Sequence, residues 1–89
     1  MKGFAYLDKH NILHCSTSKE TALKYSINGK VVETTLCDEG GYMDENGMNV
    51  HIDGNEFWHG KNKNRENMIT ESAFAQKYPQ TYAVYQKLK

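Results

Sequence analysis

Asn46-Gly47 is the feature that most constrains this chain. Asn and Gly accept the positive φ that a two-residue hairpin turn demands, and such a turn fixes the register of both arms. Glu45 then falls opposite Met48, and Met43 opposite Val50. One face collects Met43, Met48, Val50 and Ile52, and the other carries Tyr42, Asp44, Asn49 and His51. This alternation describes a half-buried antiparallel pair with one wet face.

A second hairpin is expected upstream. Phe4-Ala5-Tyr6-Leu7 and Ile12-Leu13-His14-Cys15 flank the turn formers Asp8-Lys9-His10-Asn11. With Leu7 opposite Ile12, one face holds Phe4, Tyr6, Leu13 and Cys15, and the other Ala5, Leu7, Ile12 and His14. Both are largely apolar, so each is covered or one meets another subunit. Thr17-Ser18-Lys19-Glu20 fits a capping box with Thr17 as N-cap. The helix it opens runs over 18–27, with Ala22, Leu23 and Ile27 as its stripe and Tyr25 at the edge, and Asn28-Gly29 ends it. Residues 30–37 are rich in Val and Thr and read as a strand. Residues 53–65 read as a loop.

Thr70 is a good N-cap, and Ile69 can staple onto Phe74. Phe74, Tyr78, Tyr82 and Tyr85 then keep helical spacing. Pro79 lacks an N–H and clashes with the preceding turn, so two short helices or one sharply kinked helix are expected.

With 89 residues the chain is expected to form one domain, 1–89, with a small core. Its aromatic content of 11% separates it from disordered chains, which lack the side chains to offset chain entropy. The expected fold is α+β: an antiparallel sheet of four to five short strands, packed by a short helix and a C-terminal helical pair. Phe4, Tyr6, Leu13, Val32, Leu36, Val50 and Ile52 are expected to face Leu23, Ile27, Phe74 and Tyr78.

The formal net charge of zero hides a segregation. Residues 1–30 carry a net +3, residues 31–59 a net -7 without a single Lys or Arg, and residues 60–89 a net +4. Blocks of this kind pair with one another or steer a partner. No apolar run approaches the roughly 20 residues of a membrane span. Asp8, Lys9 and His10 interrupt the N-terminal stretch where a leader would be apolar. A cytoplasmic location is expected, with Cys15 and Cys37 as free thiols packed like small hydrophobes. Ten Lys against one Arg, with eight Asn, suit an AT-rich genome. The opening Phe4-Ala5-Tyr6-Leu7-Asp8-Lys9 with Ile12-Leu13-His14 resembles small proteins of low-GC bacteria and their phages; the resemblance implies no activity.

Chemistry-bearing patterns are sparse. His10, His14, Cys15, Cys37, His51 and His59 are zinc ligand types, but their spacing lacks the close pairs of zinc knuckles. Counted from Asp44 as a calcium loop, the sixth and twelfth positions are Asn49 and Asn55, where Gly and Glu are needed. Cys37 sits beside Asp38 and Glu39, which oppose thiolate formation. No nucleophile elbow, phosphate loop or dinucleotide fingerprint occurs. Hence no catalytic residue, metal or cofactor is expected.

Two surfaces remain. The Tyr stripe and the doubly apolar first hairpin suggest an interface formed by Leu7, Ile12, Tyr78, Tyr82 and Tyr85, because Tyr suits half-buried contacts. The alternative is a nucleic-acid site at Trp58, Lys61, Lys63 and Arg65, where a ring could stack on a base while cations meet phosphate. A pI near 6.9 and the adjacent acidic block weigh against the latter. The leading expectation is a small non-enzymatic module that self-associates or binds another protein, away from membranes.

Overall fold

In the computed structural model, which spans Met1–Lys89, the chain begins with β1 (Gly3–Leu7) and returns as β2 (Leu13–Ser16). The register differs by one residue from the expected one. Leu7 pairs with Leu13, Tyr6 with His14, Ala5 with Cys15 and Phe4 with Ser16. The loop explains the shift. Asp8 Oδ1 accepts from the N–H groups of His10 at 2.8 Å and Ile12 at 3.0 Å, and Asn11 turns the chain at φ 60°. Ile12 is therefore used in the connection rather than the ladder. A slip of one residue changes which side chains share a face. Leu13 and Cys15 join Ala5 and Leu7 in the interior, while Phe4, Tyr6, His14 and Ser16 line the other face half-buried.

The first helix, α1 (Lys19–Tyr25), starts from Ser18 rather than Thr17; the Ser18 Oγ accepts from the Thr21 N–H at 3.2 Å. It ends at Ser26, short of Asn28-Gly29, and buries only Ala22. The expected stripe of Leu23 and Ile27 stays outside the core. The helix packs on β1 and β2, and Ala22 stands apart from the main cluster. That places α1 over the Phe4–Tyr6 face.

β3 (Val32–Thr34) is shorter than the expected 30–37 strand and pairs with β1, giving the order β2-β1-β3. A second sheet contains β4 (Met43–Glu45), β5 (Met48–Asp53), β6 (Glu56–His59) and β7 (Met68–Ile69) in that order. The β4–β5 turn matches its sequence: Asn46 and Gly47 have φ of 57° and 74°, and Glu45 faces Met48. β6 arises inside the segment read as a loop. Gly54 at φ 63° reverses the chain so that Ile52 meets Phe57 and Asp53 meets Glu56. A 3-10 turn at Arg65–Asn67 leads into β7.

Single bridges at Ile12–Asp53 and Cys37–Met43 tie the residue before β2 and the segment after β3 to the second sheet. Cys15 and Cys37 add a covalent tie. They form a disulfide with Cα atoms 5.7 Å apart, within the usual span of such bonds. The expectation of two free thiols is thereby corrected.

α2 (Glu71–Lys77) and α3 (Pro79–Leu88) form the expected C-terminal pair. Thr70 Oγ1 accepts from the Ala73 N–H at 3.1 Å, and Pro79 occupies the first position of α3, where its missing N–H costs nothing. One cluster of 14 buried residues draws on both sheets and both of these helices. The Phe57 ring lies 5.3 Å from Phe74 and 5.7 Å from Tyr85. No helix is long and apolar enough to cross a membrane.

Candidate interaction surface

The Tyr stripe is core rather than interface. Leu7, Tyr78 and Tyr85 expose 3%, 1% and 5% of their surface and belong to the main cluster. Ile12 is half-buried and bridges to Asp53. Tyr82 is half-buried, with its hydroxyl donating to Glu71 at 2.7 Å. That bond raises the Tyr82 pKa, with burial and the Glu71 charge adding to it. These five residues do not form a surface patch.

Exposed apolar side chains gather elsewhere, at the end of α1. Ile27 N–H donates to the Leu7 carbonyl at 2.9 Å, and Ser26 Oγ donates to the Lys30 carbonyl at 3.0 Å. These bonds hold the segment after α1 against the end of β1. Tyr25 and Ile27 project outward, 54% and 55% exposed. Between them and the Asp8 loop lies a groove of about 430 Å³, lined by Asp8, Lys9, Lys24, Tyr25, Ser26 and Ile27. The Lys24 ammonium sits 5.5 Å above the Tyr25 ring. Neither Lys9 nor Lys24 has a carboxylate partner.

Asp8 is already committed. Its Oδ2 accepts from His14 Nε2 at 2.7 Å, and its Oδ1 holds the loop. Burial pushes the Asp8 carboxyl up, but the Ile12 and His10 N–H groups and the His14 ring outweigh it and hold its pKa below the ordinary value. Tyr6 stacks on His14 with ring centroids 5.4 Å apart, and burial, aided by Asp8 and Tyr25, raises its pKa.

A second feature is the outer face of the four-stranded sheet. The pairings set Asp44 beside Asn49 and align His51, Trp58 and Met68. Tyr42 packs edge-on to His51 at 5.3 Å. Asp44 Oδ1 and Trp58 Nε1 are buried there without a hydrogen-bond partner. The adjoining turn at Asp38–Tyr42 is held by the Asp38 side chain. Asp38 Oδ1 accepts from Gly40 and Tyr42 N–H, and its Oδ2 accepts from Asn49 Nδ2 at 2.6 Å. Burial raises the Asp38 pKa, yet these donors bring it below the ordinary carboxyl value.

The nucleic-acid candidates are brought to one side but not freed. His51 Nε2 donates to the Lys61 carbonyl at 2.9 Å, drawing the segment toward β5. Trp58 is half-buried, and Lys63 pairs with Asp53 at 3.0 Å. Lys61 and Arg65 are exposed. Across the acidic block only Glu33, with Lys2 at 2.7 Å, and Asp53 find a Lys or Arg partner. The charge segregation is thus left largely unpaired. No three of the His, Cys, Asp and Glu side chains converge as a metal cluster.

Tyr25 and Ile27 were missed as surface residues because they look like part of a helical stripe. A small Ala at the helix–sheet contact was the available signal, since it brings the helix close and leaves larger neighbours on the flanks. No protein family, curated protein or solved structure matches this chain.

Proposed function

We propose that this chain is a small non-enzymatic interaction module that self-associates or binds another protein through the edge carrying Tyr25 and Ile27. One observation carries the reading: two large apolar side chains, each more than half exposed, border a groove flanked by unpaired lysines. Water gains nothing from such a surface, whereas a partner that covers it gains apolar burial and two cations to meet. The test compares the native chain with a Tyr25→Ser, Ile27→Ser double variant. The variant is expected to keep its far-UV spectrum while losing self-association or a specific partner. Identical behaviour of the two proteins, both monomeric and both retrieving the same background, would remove the proposal.

A cytoplasmic location belongs to the same proposal. Cell fractionation tests it: recovery with the cytoplasmic fraction supports it, and recovery only outside that fraction removes it.

Nucleic-acid binding through Trp58, Lys61, Lys63 and Arg65 is the second reading. The His51–Lys61 contact favours it by drawing the basic segment to the Trp58 side. Asp44, Asp53 and Glu56 share that face and oppose phosphate. Oligonucleotide binding that survives replacement of all three cations by Ala eliminates this reading.

A further inference from the structure

We propose that the groove between the Asp8 loop and the end of α1 receives the Asp38–Tyr42 turn of a second copy of this chain. The inference rests on the interaction-module reading and names its partner.

The groove sets the chemistry of its occupant. Its apolar wall is Tyr25 and Ile27, and its cations are Lys9 and Lys24. The Asp8 carboxylate stays charged, but its oxygens are taken up by His14 and the loop N–H groups, and Lys9 and Lys24 outnumber it along the groove. The groove therefore suits an apolar or aromatic side chain that arrives beside a carboxylate.

This chain carries such a segment. Tyr42 is 44% exposed and follows the Gly40-Gly41 tip. Glu39, at the same tip, is exposed and has no cation partner. The three bonds to Asp38 fix the turn before any partner arrives, so little conformational entropy remains to be lost on docking. The same molecule cannot supply its own turn. Cys15 N–H donates to the Gly41 carbonyl at 3.1 Å, which ties the turn to the open end of the β1–β2 hairpin. The groove lies at the hairpin's closed end, beside Asp8.

The contact joins unlike surfaces. It closes as a two-fold dimer where both copies exchange turns, and propagates where only one does. In either arrangement Lys24 and Lys9 of one copy meet Glu39 of the next.

Sedimentation velocity over a concentration series at low and moderate salt tests the inference. The native chain is expected to associate, and more weakly as salt rises. Lys24→Glu and Glu39→Lys are each expected to weaken association by about tenfold or more. Both sites are exposed, so both variants should keep the native far-UV spectrum. Mixing the two variants is expected to restore association, since each then offers the other a complementary turn and groove. Association indifferent to both substitutions would overturn the inference, as would a native chain that stays monomeric. A monomeric native chain that still binds another protein in a Tyr25-dependent way would sink the second-copy inference alone. Loss of that dependence as well would sink the interaction reading with it.

Discussion

The Glu45 carboxylate caps a helix that begins 34 residues later: its Oε2 accepts from the Thr81 N–H at 2.8 Å, and its Oε1 from the Gln80 N–H at 3.2 Å. α3 needs this help. Its own N-cap residue, Tyr78, makes no side-chain cap bond, and Pro79 has no N–H to satisfy. A negative charge there also meets the positive end of the helix dipole. Asn46, at the tip of the same hairpin, donates to the Lys77 carbonyl at 3.5 Å. The Asn46-Gly47 hairpin thus clamps the α2–α3 junction. Burial, with the Glu45 charge beside it, raises the Tyr78 pKa. Replacing Glu45 by Ala leaves the buried Thr81 N–H and the part-buried Gln80 N–H unanswered and is expected to cost about 1–3 kcal/mol. Glu45→Gln keeps an acceptor and should cost less. Urea midpoints order the three proteins, and equal losses for Ala and Gln would remove the capping role.

Much of this was legible in the sequence, and what was not has a local cause. The Asn46-Gly47 register, the Thr70 cap and the break at Pro79 rest on residues whose backbone preferences leave few choices. Glu45 was not legible, although its place on the Met43 face followed from the pairing. A buried carboxylate only makes sense once a distant helix end is known to meet it. β6 was hidden because Gly54-Asn55 resembles the loop residues around it, and only its pairing to β5 separates strand from loop. The first hairpin slipped by one because Asp8 captures two loop N–H groups. The Tyr stripe was found, but a stripe at helical spacing does not say whether it meets a sheet or a partner.

The Cys15–Cys37 disulfide should be a principal support of this small core. It closes a loop with a sequence separation of 22 that contains α1 and β3. Constraining the unfolded chain over such a loop stabilises by about 3 kcal/mol. For a chain of this length that is a fall in Tm of roughly 10–20 °C on reduction. A paired Cys15→Ser, Cys37→Ser variant should show the same loss without reductant. An unchanged melting curve under reducing conditions would mean that the bridge contributes nothing.

Gly3 is required for want of space rather than for backbone freedom. A Cβ there would stand 2.5 Å from Cys37 Sγ and 2.9 Å from the Ser16 carbonyl oxygen. Neither neighbour can retreat easily, since one is bridged to Cys15 and the other belongs to the sheet. Gly3→Ala is expected to cost about 1–3 kcal/mol. Gly29→Ala supplies the contrast. Nothing lies within 4 Å of that Cβ, but φ is 76°, so its loss of about 1 kcal/mol comes from backbone strain. In the reduced protein the Gly3→Ala cost should shrink, because Cys37 is then free to move, while the Gly29→Ala cost should stay. Equal shifts for both would contradict the steric account.

Acid should weaken the fold at Asp8 and Asp38. Both carboxyls have folded pKa values below the ordinary 3.8, because N–H donors outweigh the effect of burial. A carboxyl depressed in the folded state binds protons more readily when unfolded. The stability it contributes is therefore complete above its unfolded pKa and is lost as pH falls through its folded pKa. Urea midpoints should change little from neutrality to about pH 5, then fall steeply below about pH 4. Asp38→Asn should lower stability at neutral pH and flatten that acid limb, because the proton-linked part of the turn is gone. Asp8→Asn should flatten it separately, since Asp8 and Asp38 hold different loops and share no donor. Acid limbs in both variants that superimpose on the parent's would show that neither turn is held by its carboxylate.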